Sequence, residues 1–267
     1  STAGGLGQML ARAGALGEDA AQIFVKSNRQ WQLSALPDSE ADAFRKKKLE
    51  MNLWVCAHAG YLINVAGSGD TRKKSIQSLA GELARAESLE LEALVVHCGS
   101  CGETEPAEAR KRAVDGFREA LERSGTCHIP LALENSAGQG SSLARDLGEW
   151  AELVTALPSA RRAACFDTAH AYAAGHDLTS PEGRQELIRQ VEEKIGWDRV
   201  RVLHVNDSKS ACGSRVDRHE HLGKGRIGAA LRDFLRNPAL REIPRIGELP
   251  PGEKEDQANL RFLRSCG

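Results

Sequence analysis

The chain has 267 residues, of which 41% are hydrophobic and 27% charged, and its formal net charge is −1. That length supports a full apolar core, no apolar stretch approaches the roughly 20 residues of a membrane-spanning helix, and the N-terminus lacks the basic-then-apolar pattern of a signal peptide, so a cytoplasmic protein is expected. The near-zero charge excludes a generally basic, histone-like binder; an anionic partner has to be attracted locally.

Residues 21–25 form the first short β-rich apolar run, and 53–56, 94–96, 129–133, 163–166, 200–203 and 243–246 follow. Helical patterns separate these runs. Thr104 with Pro106 supplies helix-start chemistry ahead of an apolar stripe of Val114, Phe117 and Leu121. Leu143, Leu147, Trp150, Val154 and Leu157 make a second stripe, and Ser180 with Pro181 starts another helix. The β-α unit repeats at intervals of about 30 to 45 residues, which predicts parallel strands covered by helices. No Ser/Gly/Pro-rich linker interrupts it, so residues 1–267 are expected to form a single domain.

Six runs in succession end in a residue type that binds metal: His58, His97, Glu134, Asp167, His204 and Glu248. In a closed barrel of parallel strands all C-terminal ends face one mouth, so residues distant in sequence converge there. An open sheet, with strands about 4.8 Å apart, would spread the same ends along an edge roughly 20 Å wide. The pattern therefore predicts a (β/α)8 TIM barrel. Asp217 and His219, spaced i and i+2 on an extended segment, point to one side and can chelate together, and His170 lies three residues after Asp167. Five imidazoles and four carboxylates form a zinc-favouring set rather than an all-oxygen cage. Nine ligands exceed one ion; three ions fit, one carboxylate bridging.

Seven cysteines, an odd number without framework spacing, predict reduced thiols. Cys98 and Cys101 form a CxxC that is read as incidental rather than as a redox or zinc pair. His128, His176 and His221 lack the strand-end pattern and are read as structural or solvent-facing. "LGKGRIG" (222–228) is read as a turn into the following helix, with a phosphate cradle as the alternative, and Arg72, Lys73 and Lys74 as a solvated helix start.

The strings "HAGYLIN" (58–64), "LENSAGQGS" (133–141), "DTAHAYAAGHD" (167–177), "HVNDSKSACGSRVDRH" (204–219) and "LGKGRIG" (222–228) are long, ordered and distributed along nearly the whole chain. Together they resemble the endonuclease IV family of zinc-dependent AP endonucleases. The resemblance implies a TIM barrel with three Zn²⁺, Mn²⁺ being able to substitute at one site. It also implies cleavage of the phosphodiester 5′ to an abasic site in duplex DNA, leaving a 3′-hydroxyl and a 5′-deoxyribose phosphate, in base excision repair. By the family pattern His58, His97 and Glu134 hold one ion; the bridging Glu134 joins Asp167, His204 and Glu248 on a second; His170, Asp217 and His219 hold the third. Glu134, Glu248 and His97 are the residues expected to carry catalysis. Zinc lowers the pKa of water toward neutrality, so no Ser-His-Asp or cysteine nucleophile is needed.

Three zinc ions would change the formal charge to about +5 and focus it in one cleft, which supplies the local attraction for DNA. Arg29 and Tyr61 match family positions that enter the base stack and help expose the abasic nucleotide, a selection that costs least where pairing is already lost. Lys26, Arg218, Lys209, Arg215 and Lys224 are candidate phosphate contacts. The expected partner is duplex DNA with abasic sites or blocked 3′ ends, and the expected state is a monomer, nucleoid-associated if bacterial.

The sequence departs from the family pattern in places. Cys98 and Cys101 replace the Pro and second His of an "HPGSH" string, Ala169 replaces a Cys, and Arg245 and Gly247 are unusual in a strand leading to Glu248. Seven runs are read instead of eight, the family's first strand falling ahead of Ser1, so a short strand is expected there in a longer precursor. Two other readings share parts of this pattern: a metal-dependent sugar isomerase or epimerase of the xylose-isomerase-like barrels, and a non-catalytic zinc-stabilised DNA-binding protein. The first needs only one or two ions and no wedge at Arg29 and Tyr61; the second would use closed, Cys-rich sites.

Overall fold

Each apolar run of the sequence becomes one strand of the structure, a computed structural model that describes residues 5–266. The strand expected ahead of Ser1 lies outside the described residues. The chain divides into two compact units: one runs to Leu133 and includes Ala156–Ala163, and the other holds Glu134–Thr155 and the chain from Ala164 onward.

In the first unit helices and strands alternate as α1 (Leu6–Leu16), β1 (Ala20–Ile23), α2 (Asp38–Glu50), β2 (Trp54–His58), α3 (Gly69–Ser88), β3 (Leu94–His97), α4 (Pro106–Ser124) and β4 (Leu131–Glu134, in this unit to Leu133). The sheet order is β1-β2-β3-β4. β1 pairs with β2 in parallel, Ala20 opposite Trp54 through Ile23 opposite Ala57, and β2 pairs with β3 in parallel, Ala57 opposite Leu94. Strands covered on both faces need apolar residues at successive positions. Val55, Cys56 and Ala57 on β2, and Leu94, Val95 and Val96 on β3, are accordingly all buried.

α3 and α4 pack together. A Cβ on Gly116 of α4 would stand 2.8 Å from the Cβ of Val65, in the loop before α3, so α4 meets that loop more closely than any side chain allows. Pro106 occupies the first turn of α4, where its missing N–H costs nothing, and Gly125 ends the helix at φ 65°. The N-cap is Glu105, without a side-chain cap bond. Thr104, expected to start the helix, instead lies 3.5 Å from Arg112 Nη1. The basic run 72–74 is in the first turns of α3, as read, with Arg72 3.5 Å from Glu119.

The second unit holds α5 (Leu147–Thr155), β5 (Arg162–Asp167, in this unit from Ala164), α6 (Thr168–Ala174), α7 (Pro181–Lys194) and β6 (Val200–His204). It continues with β7 (Asp207–Ser208), β8 (His219–Glu220), α8 (Ala230–Leu235), β9 (Arg245–Ile246) and α9 (Glu253–Arg264). β5, β6 and β9 are neighbours in parallel pairing, with Asp167 opposite His204 and His204 opposite Ile246. β7 and β8 form a short antiparallel pair that returns His219 opposite Ser208.

Phe166 on β5 sits among Trp150, Trp197 and Phe234, with ring centroids 6.0, 5.4 and 6.0 Å away. α5 is shorter than the stripe from Leu143 predicts. Ala144 adopts φ 64°, its N–H donates to Glu149, and Asp146 accepts from Gly148 N and Glu149 N, so the helix starts only at Leu147. Ser180 caps α7 as expected, accepting from Gly183 N at 3.1 Å. Among the described residues no helix is long and apolar enough to cross a membrane.

Candidate metal centre

Parallel pairing sets strand ends side by side, and in both units those ends carry imidazoles and carboxylates. In the first unit His58 ends β2 and His97 ends β3, with ring centroids 5.1 Å apart. His58 is buried and His97 half-buried. His58 Nδ1 lies 2.7 Å from Ala59 O; a carbonyl only accepts, so Nδ1 carries the proton and Nε2 the lone pair. Tyr61 is 53% exposed and packs edge-on against Phe24 at 5.4 Å, and Arg29 is exposed.

Lys26 is a correction. Expected to contact phosphate, its side chain is 4% exposed and its ammonium turns inward to Glu82 at 3.4 Å and to the carbonyls of Ser27 and Gln30. A long apolar stem lets the ammonium reach a buried carboxylate, an outcome no local pattern announces. Burial pushes the Glu82 carboxyl up, partly offset by Lys26, Gly60 and Ser78.

The second unit gathers the remaining seven predicted ligands. Ligand atoms of Glu134, Asp167, His204 and Glu248 lie within 4.8 Å of one another, and so do those of Asp167, His170 and His219. Glu134 and Asp167 are fully buried. His204 Nδ1 is 2.9 Å from Glu134 Oε1 and 3.3 Å from Glu248 Oε2. Asp217 stands between two imidazoles, Oδ2 3.2 Å from His170 Nε2 and Oδ1 3.1 Å from His219 Nε2. Cys165 also falls within reach of Glu134 and His204, a neighbour the sequence did not single out.

Backbone carbonyls fix two of these rings. His170 Nδ1 donates to Asn135 O at 2.9 Å and His219 Nδ1 to Glu248 O at 2.8 Å, which leaves both Nε2 atoms facing Asp217. Asp167 caps α6 by accepting from His170 N at 2.8 Å, which explains the spacing of these two ligands. Three residues missed in the sequence hold the segments that carry the carboxylates. Asn206 Nδ2 donates to Asp167 Oδ2 at 2.6 Å while its Oδ1 accepts from Glu248 N at 2.7 Å. Asn135 pairs with the Asp167 backbone at 2.6 and 3.1 Å, and Thr168 exchanges hydrogen bonds with the Asn206 backbone at 2.7 and 2.9 Å. Their signal was adjacency: each follows a strand-end ligand by one or two positions.

Glu248, the predicted ligand that follows an unusual strand, lies in the cluster, while Arg245 of that strand turns to Leu235 O at 2.9 Å. Gly247 leaves room for Leu249, whose Cδ1 would be 3.0 Å from a Cβ there. "LGKGRIG" is no phosphate cradle: the Asp207 carboxylate accepts from the N–H groups of Gly223, Gly225, Ile227 and Gly228. The altered loop at Cys98 and Cys101 is shaped by Asn64, which exchanges hydrogen bonds with Ser100 at 3.1 Å, and all seven cysteines are free thiols. Arg218 is exposed and donates to Asp217 O at 2.6 Å; Lys209, Arg215 and Lys224 are exposed as well.

The electrostatics test whether a cation belongs here. Burial opposes protonating His204, yet Glu248, Glu134 and Asp167 outweigh it and raise the imidazole to about 9. His219 is likewise pushed to about 9, against burial, by Asp167 and Asp217, and His170 rises well above its usual value through Asp167, Asp217 and Glu134. Asp217 is held well below the carboxylate range despite burial by the His170 and His219 imidazoles. Protons thus balance a concentration of buried carboxylate that divalent cations would balance equally. His219 Nε2 is buried without a hydrogen-bond partner, aimed at Asp217. An orphaned buried nitrogen beside hard and borderline donors fits zinc.

Three comparisons bear on this arrangement. Residues 10–266 match the family model of the xylose isomerase-like TIM barrel. The chain is 37% identical over 271 residues to a probable endonuclease 4 of Trichlorobacter lovleyi, covering 99% of this chain and 96% of that protein. It is equally similar to a probable endonuclease 4 of Chloroflexus aurantiacus, at 37% over 99% and 95% of the two chains. The crystal structure of endonuclease IV from Thermus thermophilus superposes with a TM-score of 0.90 at 38% identity, over 98% of this chain and 94% of that one. A D-tagatose 3-epimerase-like protein superposes at a TM-score of 0.73 with 19% identity, a likeness of fold alone. The TIM-barrel class read from the sequence is the fold of this family.

Proposed function

The chain belongs to the endonuclease IV family, and from that premise we propose that it is an AP endonuclease of base excision repair. It hydrolyses the phosphodiester 5′ to abasic sites in duplex DNA, leaving a 3′-hydroxyl and a 5′-deoxyribose phosphate, and also trims blocked 3′ ends. The observation that carries this reading is the meeting of Glu134, Asp167, His204 and Glu248, with Asp167 shared by the adjoining His170 and His219 group.

Three Zn²⁺ would be held by the nine residues of the family pattern: His58, His97 and Glu134; Glu134, Asp167, His204 and Glu248; and His170, Asp217 and His219. Bound zinc supplies Lewis-acid charge stabilisation and an activated water at neutral pH, with Mn²⁺ able to replace it at one site. Glu134 and Glu248, both within 3.3 Å of His204 Nδ1, accept hydrogen bonds from the attacking water and orient it toward phosphorus. His97 contributes to the same step as a ligand beside His58. Arg29 and Tyr61 enter the base stack at the lesion, Tyr61 backed by Phe24, and Arg218 contacts phosphate. The full chain acts as one catalytic domain and as a monomer, in the cytoplasm where its DNA substrate lies.

The test is incubation of metal-analysed protein with a duplex carrying one abasic analogue, with and without chelator and beside His204→Ala. Chelator-sensitive incision 5′ to the lesion, lost in the variant, is expected together with about three zinc ions per chain, the number the nine-ligand pattern accommodates. Stable metal binding with no incision, and turnover of a ketose instead, would place the protein with the epimerases.

A further inference from the structure

Outside the metal ligands, the first unit buries an ion pair that the proposed chemistry leaves unused. The Lys26 side chain is 4% exposed and that of Glu82 1%, with Nζ and Oε1 3.4 Å apart. All three donors of the ammonium are used: on Glu82, on Ser27 O at 3.4 Å and on Gln30 O. Glu82 in turn accepts from Gly60 N at 2.9 Å through Oε2 and from Ser78 Oγ at 3.0 Å through Oε1.

These contacts have a common geography. Ser27 and Gln30 bracket Arg29; Gly60 immediately precedes Tyr61, whose own N–H donates to Asn28 O at 2.9 Å. A pair rooted through Glu82 in α3 thus grips both turns that carry the exposed Arg29 and Tyr61. The fit is close, since a Cβ on Gly60 would stand 3.1 Å from Lys26 Nζ and 3.4 Å from Asn28 O. A buried ion pair adds little net stability, because desolvation offsets attraction; its best-supported use is to select one arrangement. Apolar residues of the same volume would fill this space and leave the Gly60 N–H and the Ser27 and Gln30 carbonyls unheld.

We propose that Lys26 and Glu82 are positioning residues that set the turn bearing Arg29 against the turn bearing Tyr61, so that the two side chains enter damaged DNA as one wedge. This rests on the reading of Arg29 and Tyr61 given above. Neither residue of the pair touches DNA or the reacting atoms.

The experiment compares the zinc-loaded wild type with Glu82→Gln and with the double variant Lys26→Met/Glu82→Leu, which removes both charges together. Three quantities are read: fluorescence of 2-aminopurine beside an abasic analogue in a duplex with an uncleavable linkage, kcat and KM for abasic-duplex incision, and turnover of bis(p-nitrophenyl) phosphate, which needs no base-stack entry. For both variants the fluorescence change is lost and KM rises on the order of ten- to a hundred-fold, the scale of an ångström-sized misplacement. Zinc content and the small-ester rate stay unchanged. Wild-type incision and fluorescence in both variants would overturn the positioning role while leaving the nuclease reading intact. A wild type that neither incises nor unstacks the abasic duplex overturns both. Should either variant fold poorly, amide exchange in the wild type decides: the Gly60 and Tyr61 N–H groups are expected to be strongly protected, and rapid exchange overturns the proposal.

Discussion

Asn206 orients Asp167 directly, its Nδ2 donating to Asp167 Oδ2 at 2.6 Å, while the Oδ1 of the same amide accepts from Glu248 N at 2.7 Å. One neutral side chain therefore aims two predicted ligands, one ending β5 and one following β9. Asn206→Leu keeps the branched outline of the side chain and removes both bonds, so zinc affinity is expected to fall about 10- to 100-fold, as when outer-shell partners are lost. A chelator-competition titration checks this; an unchanged affinity would show that Asp167 and Glu248 are aimed by packing alone.

Metal uptake should release protons. His204 and His219, raised to about 9, and His170, raised well above its usual value, are imidazolium at neutral pH in the metal-free protein, whereas a coordinating imidazole is neutral. Calorimetric titration with zinc in buffers of different ionisation enthalpy is expected to show proton release near pH 7 that declines as pH rises through about 9, where the His204 and His219 imidazoles become neutral in the folded state.

The same groups give the metal-free protein a pH-dependent stability. Their folded pKa lies above the unfolded value of about 6.5, so the folded state binds more protons between those limits. For His204 and His219 the contribution is fully present below about 6.5 and is lost as pH rises through about 9. The Tm of chelator-treated protein should fall across that window more steeply than that of the zinc-loaded protein; parallel slopes would contradict the assignment.

Asp207→Ala removes the carboxylate on which the N–H groups of Gly223, Gly225, Ile227 and Gly228 converge. Each buried donor left without a partner costs about 1–3 kcal/mol, though water recovers part of this at the more exposed glycines. Limited proteolysis is expected to cut the variant within residues 222–228 before the wild type, with zinc content retained. Equal cleavage rates would assign the loop's order to other contacts.

Phe234→Ala opens a cavity beside Phe166 and Trp197 in the core of the second unit. Truncating a buried phenylalanine costs about 3–5 kcal/mol, visible as a lower urea midpoint at unchanged zinc content. A midpoint within error of wild type would mean the ring cluster repacks without loss.

The sequence by itself determined the strands and the metal-type residues at their ends. Seven apolar runs became seven strands because strands buried on both faces require unbroken apolar residues, and a polar metal-type residue after six of those runs marks where burial in the apolar core stops. His58, His97, Glu134, Asp167 and His204 are each the last residue of a strand, and the spacing of Asp167 and His170 reflects a local helix cap. What the tertiary structure decided is which polar groups turn inward and what they answer. Asn206 looks like any loop asparagine until Asp167 and Glu248 are brought to it, and Asp207 like any loop acid until four amides of residues 223–228 wrap it. Lys26 reads as a solvent-facing cation near Arg29, a predicted DNA contact, yet it is buried on Glu82 of α3. Hydrophobic periodicity is a local property, set by the rise and turn of one segment. The partner of a buried charge or hydrogen-bonding group is supplied by chain distant in sequence, and desolvation makes that partner obligatory only once the fold has closed around it.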